Sequence, residues 1–92
     1  MKFMLTFSLL PDTRNDAIDR FLKTGGQPPK GAKLLGRWIC ADLSKAYDLV
    51  ESDDPSALTE FALQWSDLIK VETSVVVEDK ELTEVLKRGG YQ

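Results

Sequence analysis

Residues Arg37 to Ile69 read RWICADLSKAYDLVESDDPSALTEFALQWSDLI, a succession that sets out a strand end, a turn, a strand, a capped helix and the start of another strand. Around Trp38 the alternation predicts a strand over about Lys33 to Ala41. Asp42, Leu43 and Ser44 form a turn, and a further strand follows from about Lys45 to Ser52. So short a connection makes the pair an antiparallel hairpin. Asp53 and Asp54 precede Pro55, which suits the first turn of a helix because its missing N–H has no helical partner there. Leu58, Phe61, Ala62 and Trp65 recur at helical spacing and form one apolar stripe, ending near Ser66.

Working outward, the N-terminal MKFMLTFSLL alternates Phe3, Leu5, Phe7 and Leu9 against Lys2, Thr6 and Ser8, the pattern of a half-buried strand over about Lys2 to Leu9. Pro11 ends it, and Asp12 or Thr13 is placed to cap a helix that runs to about Thr24. The expected buried stripe of that helix is Ala17, Ile18, Phe21 and Leu22, and Gly25 can take the left-handed conformation that ends it. The loop GGQPPKGA, Gly25 to Ala32, resists both helix and sheet. Beyond Ser66, Ile69, Val71, Thr73, Val75 and Val77 give one face of a fourth strand. A last helix, about Asp79 to Arg88, is expected to bury Leu82, Val85 and Leu86, with Lys87 and Arg88 matched to its dipole.

The order is β-α-β-β-α-β plus a C-terminal helix, which predicts an α+β, ferredoxin-like domain. Four antiparallel strands carry helices on one face, and the whole chain, residues 1–92, is one domain whose segment 78–92 is the added helix and tail. The opposite face is left open. It should present Met4, Thr6 and Ser8 from the first strand and Lys70, Glu72, Ser74 and Val76 from the fourth. For the hairpin, the reading places Leu35, Arg37, Ile39, Ala46, Asp48 and Val50 on that open face, with Trp38 and Leu49 toward the helices. A shift of one residue reverses this assignment. A face so mixed in polarity is economically covered by a second copy, so a homodimer enclosing a polar-lined cavity is expected.

Composition narrows the function classes. The 92 residues carry a formal charge of −3, 12 basic against 15 acidic side chains, with no histidine and one cysteine. A concentrated positive surface is needed to neutralise phosphates, so neither nucleic acid nor an anionic membrane is an expected partner. The third strand, SKAYDLVES, also lacks the basic and aromatic-glycine pattern with which RNA-recognition sheets stack bases. Cys40 alone supports no intramolecular disulfide, thiolate metal cluster or iron–sulfur centre, and points to a reducing cytoplasm. The N-terminal apolar run is too short for a membrane span and alternates, so no targeting or transmembrane segment is read. No cofactor and no metal are expected.

The strand MKFMLTF, the loop QPPKGAK before Trp38, the segment VESDDP from Val50 to Pro55 and the segment QWSDL from Gln64 to Leu68 together resemble an uncharacterised family of short bacterial proteins. The resemblance covers most of the chain. More distantly, that family resembles the dimeric α+β barrel superfamily, whose ferredoxin-like dimers include small monooxygenases, isomerases and dehydratases. The resemblance implies fold and dimerisation but no reaction. Histidine, which many enzymes of the wider superfamily use for acid–base work or haem ligation, is absent from this sequence.

The candidate pocket or dimer-face residues are Arg37, Trp38, Tyr47, Asp48, Lys70 and Glu72. On an open face, Arg37 and Lys70 could clamp an anion and Asp48 or Glu72 could serve as an enclosed base. The plainer reading is an inter-subunit ion-pair set or solvated strand charges. Trp38 and Trp65 could stack an aromatic ligand, although Trp65, on its helix stripe, reads first as core. Tyr47 could donate a proton or simply hold a wet hydroxyl. Cys40 reads as a small apolar strand residue, since no histidine is present to activate it. Glu51, Asp53 and Asp54 are too few oxygens for a calcium site and read as a helix cap.

The function expected from the sequence is therefore a homodimeric module that binds a small polar or aromatic molecule or plays an accessory role. The alternative is a cofactor-independent enzyme of isomerase or monooxygenase type, using Arg37, Asp48, Tyr47 and Glu72.

Overall fold

The computed structural model describes residues 1–91. Seven elements follow the expected order: β1 (Lys2–Leu9), α1 (Arg14–Thr24), β2 (Lys33–Ile39), β3 (Lys45–Glu51), α2 (Pro55–Trp65), β4 (Ile69–Val76) and α3 (Asp79–Arg88). The sheet is antiparallel in the order β2-β3-β1-β4, so β1 and β3 are central and the crossovers through α1 and α2 lie on one face. This is the ferredoxin-like arrangement with one helix added.

The core forms where the central strands meet α2. Phe3, Leu5 and Phe7 of β1 and Val50 of β3 pack with Ala57, Leu58, Phe61 and Trp65, closed by Ala17 and Ile69. Phe7 and Phe61 meet edge to face, with centroids 6.0 Å apart. The start of α2 follows from chemistry legible in the chain. Asp54 accepts a hydrogen bond from the Ser56 backbone N–H at 3.0 Å, and Pro55 occupies the first turn. Just before it, the buried Ser52 hydroxyl donates to the Gly31 carbonyl at 2.6 Å, fixing the end of the proline and glycine loop against β3.

The hairpin register differs from expectation. Opposite residues of an antiparallel pair share a face, and Val50 stands across from Phe3, Asp48 from Leu5 and Ala46 from Phe7. Arg37 faces Asp48, and Ile39 faces Ala46. Arg37, Ile39, Ala46, Asp48 and Val50 therefore lie on the helix-covered side, while Trp38 and Leu49 lie on the open side, the reverse of the sequence assignment. The physical reason is twofold. The register shifts between Leu34 and Gly36, making Leu35 an extra residue in β2, and the two charges neutralise each other instead of seeking water. The outer assignments of β1 and β4 agree with the sequence: Met4, Thr6 and Ser8 lie beside Ser74, Glu72 and Lys70.

Two helices are less buried than their apolar stripes predict. Of the α1 stripe only Ala17 is buried; Ile18 is partly covered, and Phe21 and Leu22 are exposed. Thr13 does not cap α1 with its side chain; its hydroxyl donates to the Leu68 carbonyl instead. Leu82, Val85 and Leu86 of α3 are all exposed, because no element of the same chain packs over that helix. Among the described residues, no helix is long and apolar enough to cross a membrane.

Candidate functional site

Two arginines hold α1 above the sheet. Near the middle of α1, Arg20 donates to both Asp67 oxygens at 2.8 Å and to the Gln64 carbonyl at 2.7 Å. Its guanidinium also lies 5.5 Å from the centre of a Trp65 ring, so α1 is tied to the last turn of α2, where a cation complements the helix dipole. The Asp67 carboxyl is held below its ordinary range by the hydrogen bonds from Arg20, and Arg20 is raised by the same pairing.

At the C-terminal end of α1, Arg37 reaches across from β2. Its Nε donates to Asp48 Oδ1 at 2.7 Å and one terminal nitrogen to Asp48 Oδ2 at 2.8 Å. The remaining N–H groups reach the carbonyls of Gly25 at 3.1 Å and Gly26 at 2.5 Å, and the guanidinium packs 5.3 Å from the centre of the Phe21 ring. Asp48 is buried, with only 1% of its surface exposed, so its charge is matched by one bidentate partner. A cation at the C-terminus of α1 again suits the dipole.

Between these two ties a cleft of about 410 Å³ runs under α1. Phe7, Ala46 and Ile39 form its floor, Ala17, Ile18 and Phe21 its roof, and Trp65 with Ile69 one wall. Apart from Arg37 and Asp48, the lining is hydrocarbon and aromatic. Two of the lining residues, Ala17 of α1 and Ala46 of β3, are alanines, which leave space that larger side chains would fill. A second hollow of about 580 Å³, lined by Met1, Gly31 to Lys33 and Glu51 to Asp53, lies at the opposite end of the sheet with mixed polarity.

The six candidate residues thus divide into three sets. Arg37 and Asp48 come together in the covered cleft. Trp38 and Tyr47 are cross-strand neighbours on the open face, and the row continues through Thr6 to Glu72. Lys70 and Glu72 sit on β4 with an ion pair of 3.7 Å, both well exposed. The proposed catalytic group of Arg37, Asp48, Tyr47 and Glu72 is consequently split between the two faces of the sheet. Trp65 is both core, as its stripe predicts, and cleft wall, whereas Trp38 is 57% exposed and lies flat across Gly36. Cys40 is partly buried. Among the described residues, no group of three or more histidine, cysteine or carboxylate side chains is gathered in a way that could hold a metal.

Sequence reasoning missed Ile18, Phe21, Ile39, Ala46 and Ile69 as cleft residues and Arg20 as a tie. The available signal was the pairing of small residues, Ala17 and Ala46, at positions that a closely packed core fills with larger ones.

The family model described as a domain of unknown function, DUF3303, matches residues 1–90. The chain belongs to that family. No curated protein and no solved structure matched in the corresponding comparisons. What the DUF3303 chain does therefore rests on its own geometry, in which an apolar cleft with a neutralised ion pair at its rim is the principal feature.

Proposed function

We propose that this DUF3303 domain is a homodimeric small-molecule-binding module of the cytoplasm, and that its ligand is apolar or aromatic. The carrying observation is the 410 Å³ cleft, whose size is that of a small-ligand site and whose lining offers hydrocarbon and ring surface. Arg37 and Asp48 consume each other's hydrogen-bonding capacity, so they favour an uncharged guest over an ionic one. Of the two ligand classes expected from the sequence, this supports the aromatic one. The homodimer is supported by the open face, where Met4, Leu49, Tyr47 and Trp38 are partly or largely exposed without a covering layer.

The test uses N-phenyl-1-naphthylamine, a neutral aromatic probe, titrated into the protein with fluorescence read from the probe and from Trp65 in a Trp38→Phe background. Saturable binding is expected, weakened at least tenfold by Ala46→Leu, which fills the cleft without adding polarity. Equal binding by the Ala46→Leu protein, with its circular dichroism unchanged, would sink the cleft as the site. Failure of the probe to bind the parent protein would do the same.

A further inference from the structure

α3 is amphipathic and unoccupied on its apolar side. Leu82, Val85 and Leu86 form one stripe, yet they are 44%, 53% and 41% exposed. Only Val77 and Glu78 connect the helix to β4, and Glu78 keeps an extended backbone, so α3 departs from the sheet instead of crossing it. The molecule is correspondingly drawn out, with a long axis of 49 Å and a radius of gyration of 15.3 Å. A compact chain of this length has a radius near 12 Å.

We propose that α3 docks in trans, along the β2 edge of a second copy of this chain, against Leu35 and Trp38. Those two side chains are 40% and 57% exposed, and β2 is an edge strand. This inference rests on the homodimer proposed above. Charge supports the match. In the first turn of α3 the apolar stripe is bordered by Asp79 on one side and Glu81 on the other. On the open face the hairpin presents Lys33 and Lys45, and among the described residues neither these lysines nor Asp79 and Glu81 form an ion pair. The acid-bordered first turn of an apolar stripe therefore meets an apolar edge bordered by lysines.

Area supports it as well. Four strands of eight residues or fewer present a face of about 26 by 19 Å, roughly 500 Å². A stable dimer buries about 800 Å² on each partner, so stacked sheets alone fall short. A ten-residue helix adds a strip about 15 Å long and 10 Å wide, once donated and once received, which brings the contact to roughly the required size. The helix also covers the unpaired edge of β2, which a lone sheet leaves open to aggregation.

The experiment is a charge exchange in the full chain. One variant carries Asp79→Lys and Glu81→Lys; the other carries Lys33→Glu and Lys45→Glu. All four positions are exposed, so the sheet and its core are left intact; two lysines in the first turn of α3 oppose the helix dipole, and circular dichroism verifies that the helix persists in both variants. Sedimentation equilibrium is expected to show each variant self-associating at least tenfold more weakly than the parent, and an equimolar mixture restoring a heterodimer of parental strength. Rescue on mixing requires contact between chains; a helix folding back on its own sheet gives none. Parental-strength dimers from both variants would overturn the α3 assignment while leaving the dimer standing. A parent chain that stays monomeric to millimolar concentration would overturn both.

Discussion

Arg37 and Asp48 face each other across the β2–β3 pair on the covered side of the sheet, joined by two parallel hydrogen bonds of 2.7 and 2.8 Å. Asp48 is almost fully buried, and Arg37 extends from it to the carbonyls that end α1. The pair therefore links the hairpin to the helix that roofs the cleft. Removing Arg37 leaves an uncompensated carboxylate, so Arg37→Met is expected to destabilise the fold by about 3–5 kcal/mol. Replacing both residues, Arg37→Met with Asp48→Leu, is expected to recover most of that loss. Urea denaturation of the two variants measures the difference. If the single variant is no weaker than the double, the buried charge is not the controlling factor.

How much of this was legible in the sequence depends on the range of the interaction. The α2 cap at Asp54 and Pro55, the left-handed Gly25 and the alternation of β1 are local signals, and the structure has them as read. The face of Arg37 was not legible, because it depends on the extra residue at Leu35 and on Gly25 and Gly26, whose carbonyls become partners only after α1 has packed. The open, dimer-face placement expected for Arg37 and Asp48 fails because the two charges satisfy each other on the covered side. The α3 stripe was legible as amphipathic, but periodicity states only that a surface is apolar and not which chain covers it. The cleft was hidden for a related reason: Ala17 and Ala46 are unremarkable separately and leave space only when β3 and α1 are superposed.

Gly26 is the closest approach in this clamp. It is buried at φ +61, and a Cβ placed there would come within 2.7 Å of an Arg37 terminal nitrogen. Gly26→Ala is thus strained both in its backbone and by displacement of the guanidinium. A loss of about 1–3 kcal/mol is expected, made up of the left-handed penalty and part of the arginine contacts. The same substitution in the Arg37→Met, Asp48→Leu background should cost measurably less, since the clash with the guanidinium is gone and only the 3.0 Å approach to the Phe21 ring and the backbone strain remain. Thermal or urea unfolding of the four proteins tests this; equal costs in both backgrounds would exclude the clash with Arg37.

Leu43 carries a different strain. It is the one non-glycine residue at positive φ among the described residues, at +63, in the β2–β3 turn where its N–H donates to the Cys40 carbonyl at 2.8 Å. A branched side chain in that conformation is unfavourable by roughly 1–2 kcal/mol, whereas asparagine tolerates it. Leu43 is 39% exposed and outside the core cluster, so little apolar burial is lost on substitution. Leu43→Asn is expected to raise stability by about 0.5–1 kcal/mol. An unchanged or lowered unfolding midpoint would show that the side chain contributes more packing than its exposure indicates.

The Arg20–Asp67 tie supplies a pH dependence whose direction follows from its shift. Asp67 titrates below its ordinary value near 3.8 in the folded protein because Arg20 donates to both its oxygens. A carboxyl with a depressed folded pKa contributes stability that is present above the unfolded value and is lost as pH falls through the folded one. The stability difference between the parent and Asp67→Asn should therefore be constant near neutrality and shrink below about pH 4. Both groups reach solvent, so the difference should also diminish in molar salt. Arg20 keeps its bond to the Gln64 carbonyl in the variant, which leaves α1 tethered and confines the change to the ion pair. Denaturant midpoints for both proteins, measured from about pH 2.5 to 7 so as to bracket carboxyl titration, decide the matter: a gap that persists undiminished at the acid end is incompatible with Asp67 as the titrating partner.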